Sequence, residues 1–295
     1  MTTVIDDRRQ DAPPAPNVTT PPAGTNRVLD ALYDVGSRLL AVFVVAFLLA
    51  PVVVVVIVSF STSGIEFWPR SFGWDAYGDI PGYMFEALWL STRLAAVAVV
   101  ISLVLTIPLA VAMVRGRLPG RSLVEAFFRS PLQLPALVLG VALYQYFIFI
   151  GSSGVTLRGT FIGLVVGHVI AITPFLLSAA VGRLSEMDPV IEDAAAGLGA
   201  GFFRVLLRVT LPQMRPGLVA GSFLAFLVSF NDVALSVFLT GAGQSPLPVV
   251  MLSDAETMPG VYLYAISAVV VVLSLVACVA VDRLVGLRSV VGAAR

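Results

Sequence analysis

The chain has 295 residues, of which 58% are hydrophobic and only 12% charged, with a mean hydropathy of +0.96. Soluble domains carry about 25% charged residues, so this composition excludes an ordinary soluble protein, and eighteen acids against eighteen bases, all arginine, exclude the basic field of a nucleic-acid binder. With no lysine, one cysteine (Cys278) and one histidine (His168), the chain has no Walker A loop, Schiff-base lysine, intrachain disulfide or histidine-pair metal site, and no cofactor is expected.

Residues 1–35 read as a disordered cytoplasmic tail, because Ala12–Asn26 (APPAPNVTTPPAGTN) offers little that could form a core. A cleaved leader is not expected, since the first apolar run starts late and is long enough to span. Residues 36–290 read as an all-α integral membrane domain. A bilayer core of about 30 Å needs roughly 20 apolar residues in a helix. Six stretches qualify: Leu39–Phe60, Leu94–Val114, Leu132–Ile150, Gly159–Gly182, Gly217–Thr240 and Val261–Val281. Helix is expected even for Val52–Val56, since each backbone polar group in lipid needs a partner within its own segment. Pro51, Pro108, Pro135 and Pro174 are expected to kink their helices. Gly159, Gly163 and Gly167, spaced by four, predict close helix packing, either within the chain or against a second one.

Arginine placement gives the orientation. With the N-terminus inside, fifteen arginines face the cytosol, among them Arg115, Arg117, Arg121, Arg129, Arg183 and Arg204, and both termini are cytoplasmic. Only Arg70, Arg93 and Arg158 lie outside, with Glu66, Asp75, Asp79, Glu86, Asp254 and Glu256 assigned to outer loops. Arg93, at the outer end of the second stretch, is expected to snorkel to the interface.

The inner connection from about 183 to 216 is too long for a turn and carries helix signals. Asp188 suits an N-cap and Pro189 the first helical position, while Glu192 and Asp193 favour the positive helix end. Ala194, Ala195 and Ala196 propagate a helix, and Gly199 reads as its stop. A second short helix is expected from about Phe202 to Thr210, limited by Pro212 and Pro216 before the fifth span. On composition alone this connection also fits an amphipathic helix on the headgroups.

A few polar groups fall inside the spans. Asp232 has two readings: an anion that attracts a cationic amine, or an acid that bonds free backbone groups near an unwound turn, helped by Asn231. His168 reads as a packing or interhelical hydrogen-bond residue, with a pathway role as the alternative. Tyr144 and Gln145, with Gln133 and Tyr146, line a cavity or tie helices together. Cys278 reads as a small packing residue.

Asp193-Ala194-Ala195, three residues, Gly199, nine residues, then Val209-Thr210-Leu211-Pro212 resembles the EAA loop of binding-protein-dependent ABC importer permeases. That pattern is Glu-Ala-Ala, three residues, Gly, nine residues, Ile-x-Leu-Pro. The spacing agrees throughout. Asp193 stands for Glu and Val209 for Ile, with Glu192 adjacent to share the acidic role. The resemblance implies that Glu192, Asp193, Ala194, Ala195, Gly199, Leu211 and Pro212 belong to a coupling element docking on a separate ATPase. A chain without lysine requires such an outside source of ATP chemistry.

Ser229-Phe230-Asn231-Asp232, Phe238-Leu239-Thr240-Gly241 and Leu247-Pro248-Val249, with Phe60-Ser61 and Phe67-Trp68-Pro69 through Trp74, resemble the second permease of spermidine/putrescine importers. Opine, aminoethylphosphonate and ferric-iron permeases share much of this pattern. The resemblance implies two ATP-binding subunits, a second permease of different sequence, an extracytoplasmic solute-binding protein and residence in the bacterial inner membrane. Polyamine import is the first expectation, and the other solutes are the alternative. Asn231, Asp232, His168, Tyr144 and Gln145 are the pathway candidates. A secondary transporter is disfavoured by the single intramembrane acid and the lack of an obvious inverted repeat. An intramembrane enzyme is disfavoured by the absence of HExxH, paired intramembrane acids or a Ser/Lys dyad.

Overall fold

The computed structural model describes residues 27–66, 68–116 and 120–285. Among these residues the regular structure is helical, apart from one isolated antiparallel bridge between Ser61 and Phe72, and loops join the helices. In chain order the helices are α1 (Arg27–Val58), α2 (Asp75–Gly78), α3 (Gly82–Val114), α4 (Arg121–Gln133), α5 (Ala136–Gly151), α6 (Phe161–Glu186), α7 (Pro189–Gly197) and α8 (Phe202–Val205). A π-helical turn, Leu206–Thr210, leads into α9 (Leu211–Phe230), followed by α10 (Ser236–Leu239), α11 (Leu247–Thr257) and α12 (Val261–Val285).

The chain divides into two contact units at Val53. In the first, the described part of α1 exposes Leu39, Phe43, Phe47 and other apolar side chains, as a helix solvated by hydrocarbon does. Helix α1 begins at Arg27, inside the stretch expected as a tail. The 1–26 portion of that tail lies outside the described residues, as do Phe67, Arg117 and the 286–290 end of the membrane domain.

In the second unit α3, α6 and α9 form the core. Ala98, Val99, Ile172, Leu176 and Ala225 meet at its middle, and Ala110, Met113, Leu177, Leu184 and Met214 at one end. Small residues set the helix spacing. A Cβ on Gly221 would stand 2.6 Å from the Ala179 Cβ, and one on Gly217 2.8 Å from the Arg183 Cβ. The spaced glycines pack within the chain. Gly159, at φ +69°, lies against the Gly241 backbone, Gly163 against the Leu157 carbonyl and Gly167 against Leu239. At the far end Phe60, Trp74 and Tyr77 cluster, with ring centroids 4.9 to 5.3 Å apart.

Among the described residues five helices are long and apolar enough to cross a bilayer: Ala31–Val58, Gly82–Val114, Phe161–Glu186, Phe202–Phe230 and Val261–Arg283. The expected stretch Leu132–Ile150 becomes α5, apolar but 16 residues long, about 24 Å at 1.5 Å per residue. The cause is Pro135. It stands at the N-cap of α5 and holds the preceding Leu134 extended, separating α5 from α4 instead of kinking one long helix. Pro51, Pro108 and Pro174 lie inside continuous helices.

Two further boundaries differ from expectation. Helix α3 begins at Gly82, well before Leu94, so Glu86 and Arg93 are helical residues rather than loop and span-end residues. Likewise Asp254 and Glu256 lie on α11. The fifth expected span, Gly217–Thr240, instead starts upstream at Phe202 and ends at Phe230. Pro212 and Pro216 do not stop it. In a regular α-helix the Pro212 ring would press on the carbonyl four residues earlier. The preceding turn is widened to π geometry, with the Leu211 N–H bonded to the Leu206 carbonyl, and the helix passes through.

Candidate functional site

The connection 183–216 folds as a compact, capped element. The Asp188 carboxylate accepts the Val190 N–H at 3.0 Å, and Pro189 takes the first helical position of α7. The other end closes as a Schellman motif. Gly199 N donates to the Ala196 carbonyl (2.9 Å) and Ala200 N to the Ala195 carbonyl (3.2 Å), with Gly199 at φ +84°. No atom lies within 4 Å of where a Gly199 Cβ would be, so backbone conformation, not crowding, selects glycine here.

The two adjacent acids of α7 diverge. Glu192 turns inward: Arg115 Nε donates to Glu192 Oε2 at 2.7 Å, and Thr210 Oγ1 donates to Oε1 at 2.6 Å. Arg115 also donates to the Met187 carbonyl at 3.0 Å. One carboxylate thus ties α7 to the end of α3 and to the π-helical turn. Asp193 faces outward and has no hydrogen bond or ion pair among the described residues. Val190, Ile191, Leu198, Phe202 and Phe203 are exposed around it, with Leu198 91% accessible. Ala194 is exposed and Ala195 half-buried, while Leu211 and Pro212 lie in the first turn of α9.

The second polar region is the break after α9. At Asn231 the helix stops, and the Asn231 side-chain amide donates to the Leu227 carbonyl at 3.0 Å. Asp232 Oδ2 accepts both the Ser236 N–H (2.9 Å) and the Ser236 hydroxyl (3.0 Å), and Oδ1 accepts the Leu235 N–H at 3.5 Å. The acid thus takes up the N–H groups of Leu235 and Ser236 where α10 begins. His168, 1% exposed on α6, bonds Ser229 Oγ at 2.8 Å through Nδ1 and Ser236 Oγ at 3.1 Å through Nε2. Ser229, His168, Ser236 and Asp232 therefore form one chain of bonds across the break. Among the pathway candidates, His168 and Asp232 are joined through Ser236. Asn231 is exposed toward a mostly apolar cavity of about 460 Å³. Tyr144 lies apart, its hydroxyl accepting from Arg158 at 3.4 Å, and Gln145 is exposed beside it.

Sequence reasoning missed a cluster at the other end of α3. Asp254 Oδ2 accepts the Tyr83 hydroxyl at 2.5 Å and the Tyr262 hydroxyl at 3.0 Å, tying α3, α11 and α12 together. The Leu247 N–H donates to Ser91 Oγ at 2.8 Å, fixing the start of α11 on α3. The Arg93 guanidinium sits 4.0 Å over the Phe161 ring of α6. No periodicity signals partners so distant in the chain. Glu86 and Arg93 also interrupt the charge-free run that marks a span.

The family described as binding-protein-dependent transport system inner membrane component matches residues 102–287. The chain is similar to the putrescine transport system permease protein PotI of Escherichia coli, 31% identical over 217 residues, 71% of this chain and 76% of that protein. It is also similar to the spermidine/putrescine transport system permease protein PotC of Escherichia coli, 27% identical over 237 residues, 80% of this chain and 88% of that protein. Among solved structures, a chain of a bacterial ABC transporter involved in the import of the acidic polysaccharide alginate shares the fold. Its TM-score is 0.69 at 20% identity, over 89% of this chain and 98% of that one.

Proposed function

The chain belongs to the family of binding-protein-dependent transport system inner membrane components, and from that premise we propose that it is one of two permeases of an ATP-driven importer of small polyamines such as putrescine. It is a transport subunit and not an enzyme. Two ATP-binding subunits supply hydrolysis, an extracytoplasmic binding protein delivers the amine, and a second permease of different sequence completes the pathway. Both termini lie in the cytosol, as the arginine bias suggests.

The observation that carries the reading is α7. The residues that fit the family pattern build a helix closed at both ends, clamped inward by Glu192 and outwardly exposing Asp193 and an apolar rim. Such an element suits docking on a motor subunit and the passage of its movement to α3 and α9. The polyamine assignment rests on the relatives named for putrescine and spermidine. Co-purified complexes in proteoliposomes test both parts. Uptake of labelled putrescine is expected to require ATP and the binding protein, and Gly199→Trp should abolish uptake and stimulated ATPase while leaving membrane insertion intact. Normal uptake by that variant refutes the docking role. Uptake of an opine or 2-aminoethylphosphonate without any amine refutes the substrate and leaves the transporter class standing.

A further inference from the structure

The first three turns of α3 present Tyr83, Glu86, Trp89 and Arg93 on one exposed side, while Met84, Ala87, Ser91 and Leu94 are buried on the other. Across from the exposed side stand Gln244 and Ser245, in the loop between α10 and α11. The space between is a cavity of about 290 Å³, near the lower bound for small-molecule sites. Its lining carries one acid, Glu86. Glu86 has no ion pair or hydrogen bond among the described residues. Tyr83 and Trp89 add aromatic side chains, whose faces attract cations.

Arg93 is the one base on this lining. Its guanidinium lies on the Phe161 ring, and it stands two turns beyond Glu86, about 10 Å along the helix axis. It is poorly placed to neutralise Glu86. Asp232, the other acid of interest, already holds the N–H groups of α10. Glu86 thus keeps its charge uncommitted.

We propose that this cavity is a binding site for a primary alkylammonium group, with Glu86 as counter-charge and the aromatic side chains of Tyr83 and Trp89 beside it. An ammonium offers three donors and one positive charge in a small volume. An anion would meet Glu86 directly, and a neutral alcohol would leave its charge uncompensated. Arg93 repels a second ammonium, so a diamine lies with its free end pointing away from Arg93, toward the start of α3. The site deepens the polyamine reading and rests on it for the natural ligand.

The test is equilibrium binding of labelled putrescine to the purified complex in nanodiscs, without the soluble binding protein. Saturable binding is expected, displaced by propylamine and not by 1,4-butanediol, the uncharged analogue of similar length. Glu86→Gln should weaken it about tenfold or more, Glu86→Asp should keep most of it, and Glu256→Gln, on the exposed surface of α11, should not change it. Binding that survives Glu86→Gln, or that butanediol displaces equally, overturns the site. ATP-driven uptake in proteoliposomes separates the two ideas. Glu86-dependent binding without putrescine uptake supports the site and refutes the polyamine importer. Putrescine uptake with Glu86-independent binding refutes the site and leaves the importer.

Discussion

Removing the Glu192 carboxylate should loosen α7 from the rest of the protein by a measurable amount. The Arg115 and Glu192 side chains are 23% and 14% exposed, with their charged atoms 2.7 Å apart. A hydrogen bond to a charged group contributes about 1.5–3 kcal/mol. Glu192→Ala removes one such bond from Arg115 and strands the Thr210 hydroxyl, which is buried. Breaking a fully buried pair costs about 3–5 kcal/mol. Here Arg115 keeps its bond to the Met187 carbonyl and some water access. The loss should therefore be smaller, about 2–3 kcal/mol. Arg115→Ala, Glu192→Ala and the double variant form a cycle, read by SDS unfolding in mixed micelles. A coupling energy of about 1–2 kcal/mol is expected, since groups in one bonded network do not add. Coupling within about 0.3 kcal/mol of zero would mean that the two side chains act independently, and the clamp would be refuted. If the clamp also passes movement inward, the same variants should hydrolyse more ATP per solute imported.

Other positions give separate checks. Gly199→Ala should cost about 1–2 kcal/mol through its left-handed backbone alone, and Gly199→Asn less. Equal melting temperatures for wild type and Gly199→Ala would contradict that reasoning. His168→Ala leaves the Ser229 and Ser236 hydroxyls without their imidazole partner in the interior and should destabilise by about 2–4 kcal/mol, seen as a lower melting temperature of the complex. Asp232→Asn keeps an acceptor but brings an amide N–H₂ toward backbone donors, for an expected loss of about 1–2 kcal/mol; lost uptake at unchanged stability would point to the pathway role instead. Gly221→Val places methyl groups into Ala179 and should impair assembly of α6 on α9, read as loss of monodisperse protein in gel filtration.

The membrane class, most of the spans and α7 were legible because each rests on a local signal. Hydropathy over about twenty residues marks a span, and Asp188, Pro189 and Gly199 mark the ends of α7 at the positions where its caps form. The misread boundaries have physical causes of the opposite kind. Pro212 looks like a stop until the turn before it widens. Thr240 looks like the end of a span until Asn231 and Asp232 bond the backbone and divide it. Glu86 was assigned to an outer loop and Arg93 to a span end, although α3 runs 33 residues and extends beyond any bilayer core. The Asp254 cluster joins residues 171 positions apart, and no pattern along the chain encodes such a meeting.

The π-helical turn has a consequence for chain length. A π-turn amounts to one extra residue threaded into an α-helix, so deleting one residue between Leu206 and Thr210 should let that turn relax to the ordinary pitch. Each residue turns an α-helix by about 100°, but a deletion absorbed by this wide turn should leave everything upstream, including the arm that carries Glu192, in its direction relative to α9. The π-turn is then a slack link in the interval after Gly199, and a natural variant one residue shorter there should show an unbroken α-helix with the arm unmoved.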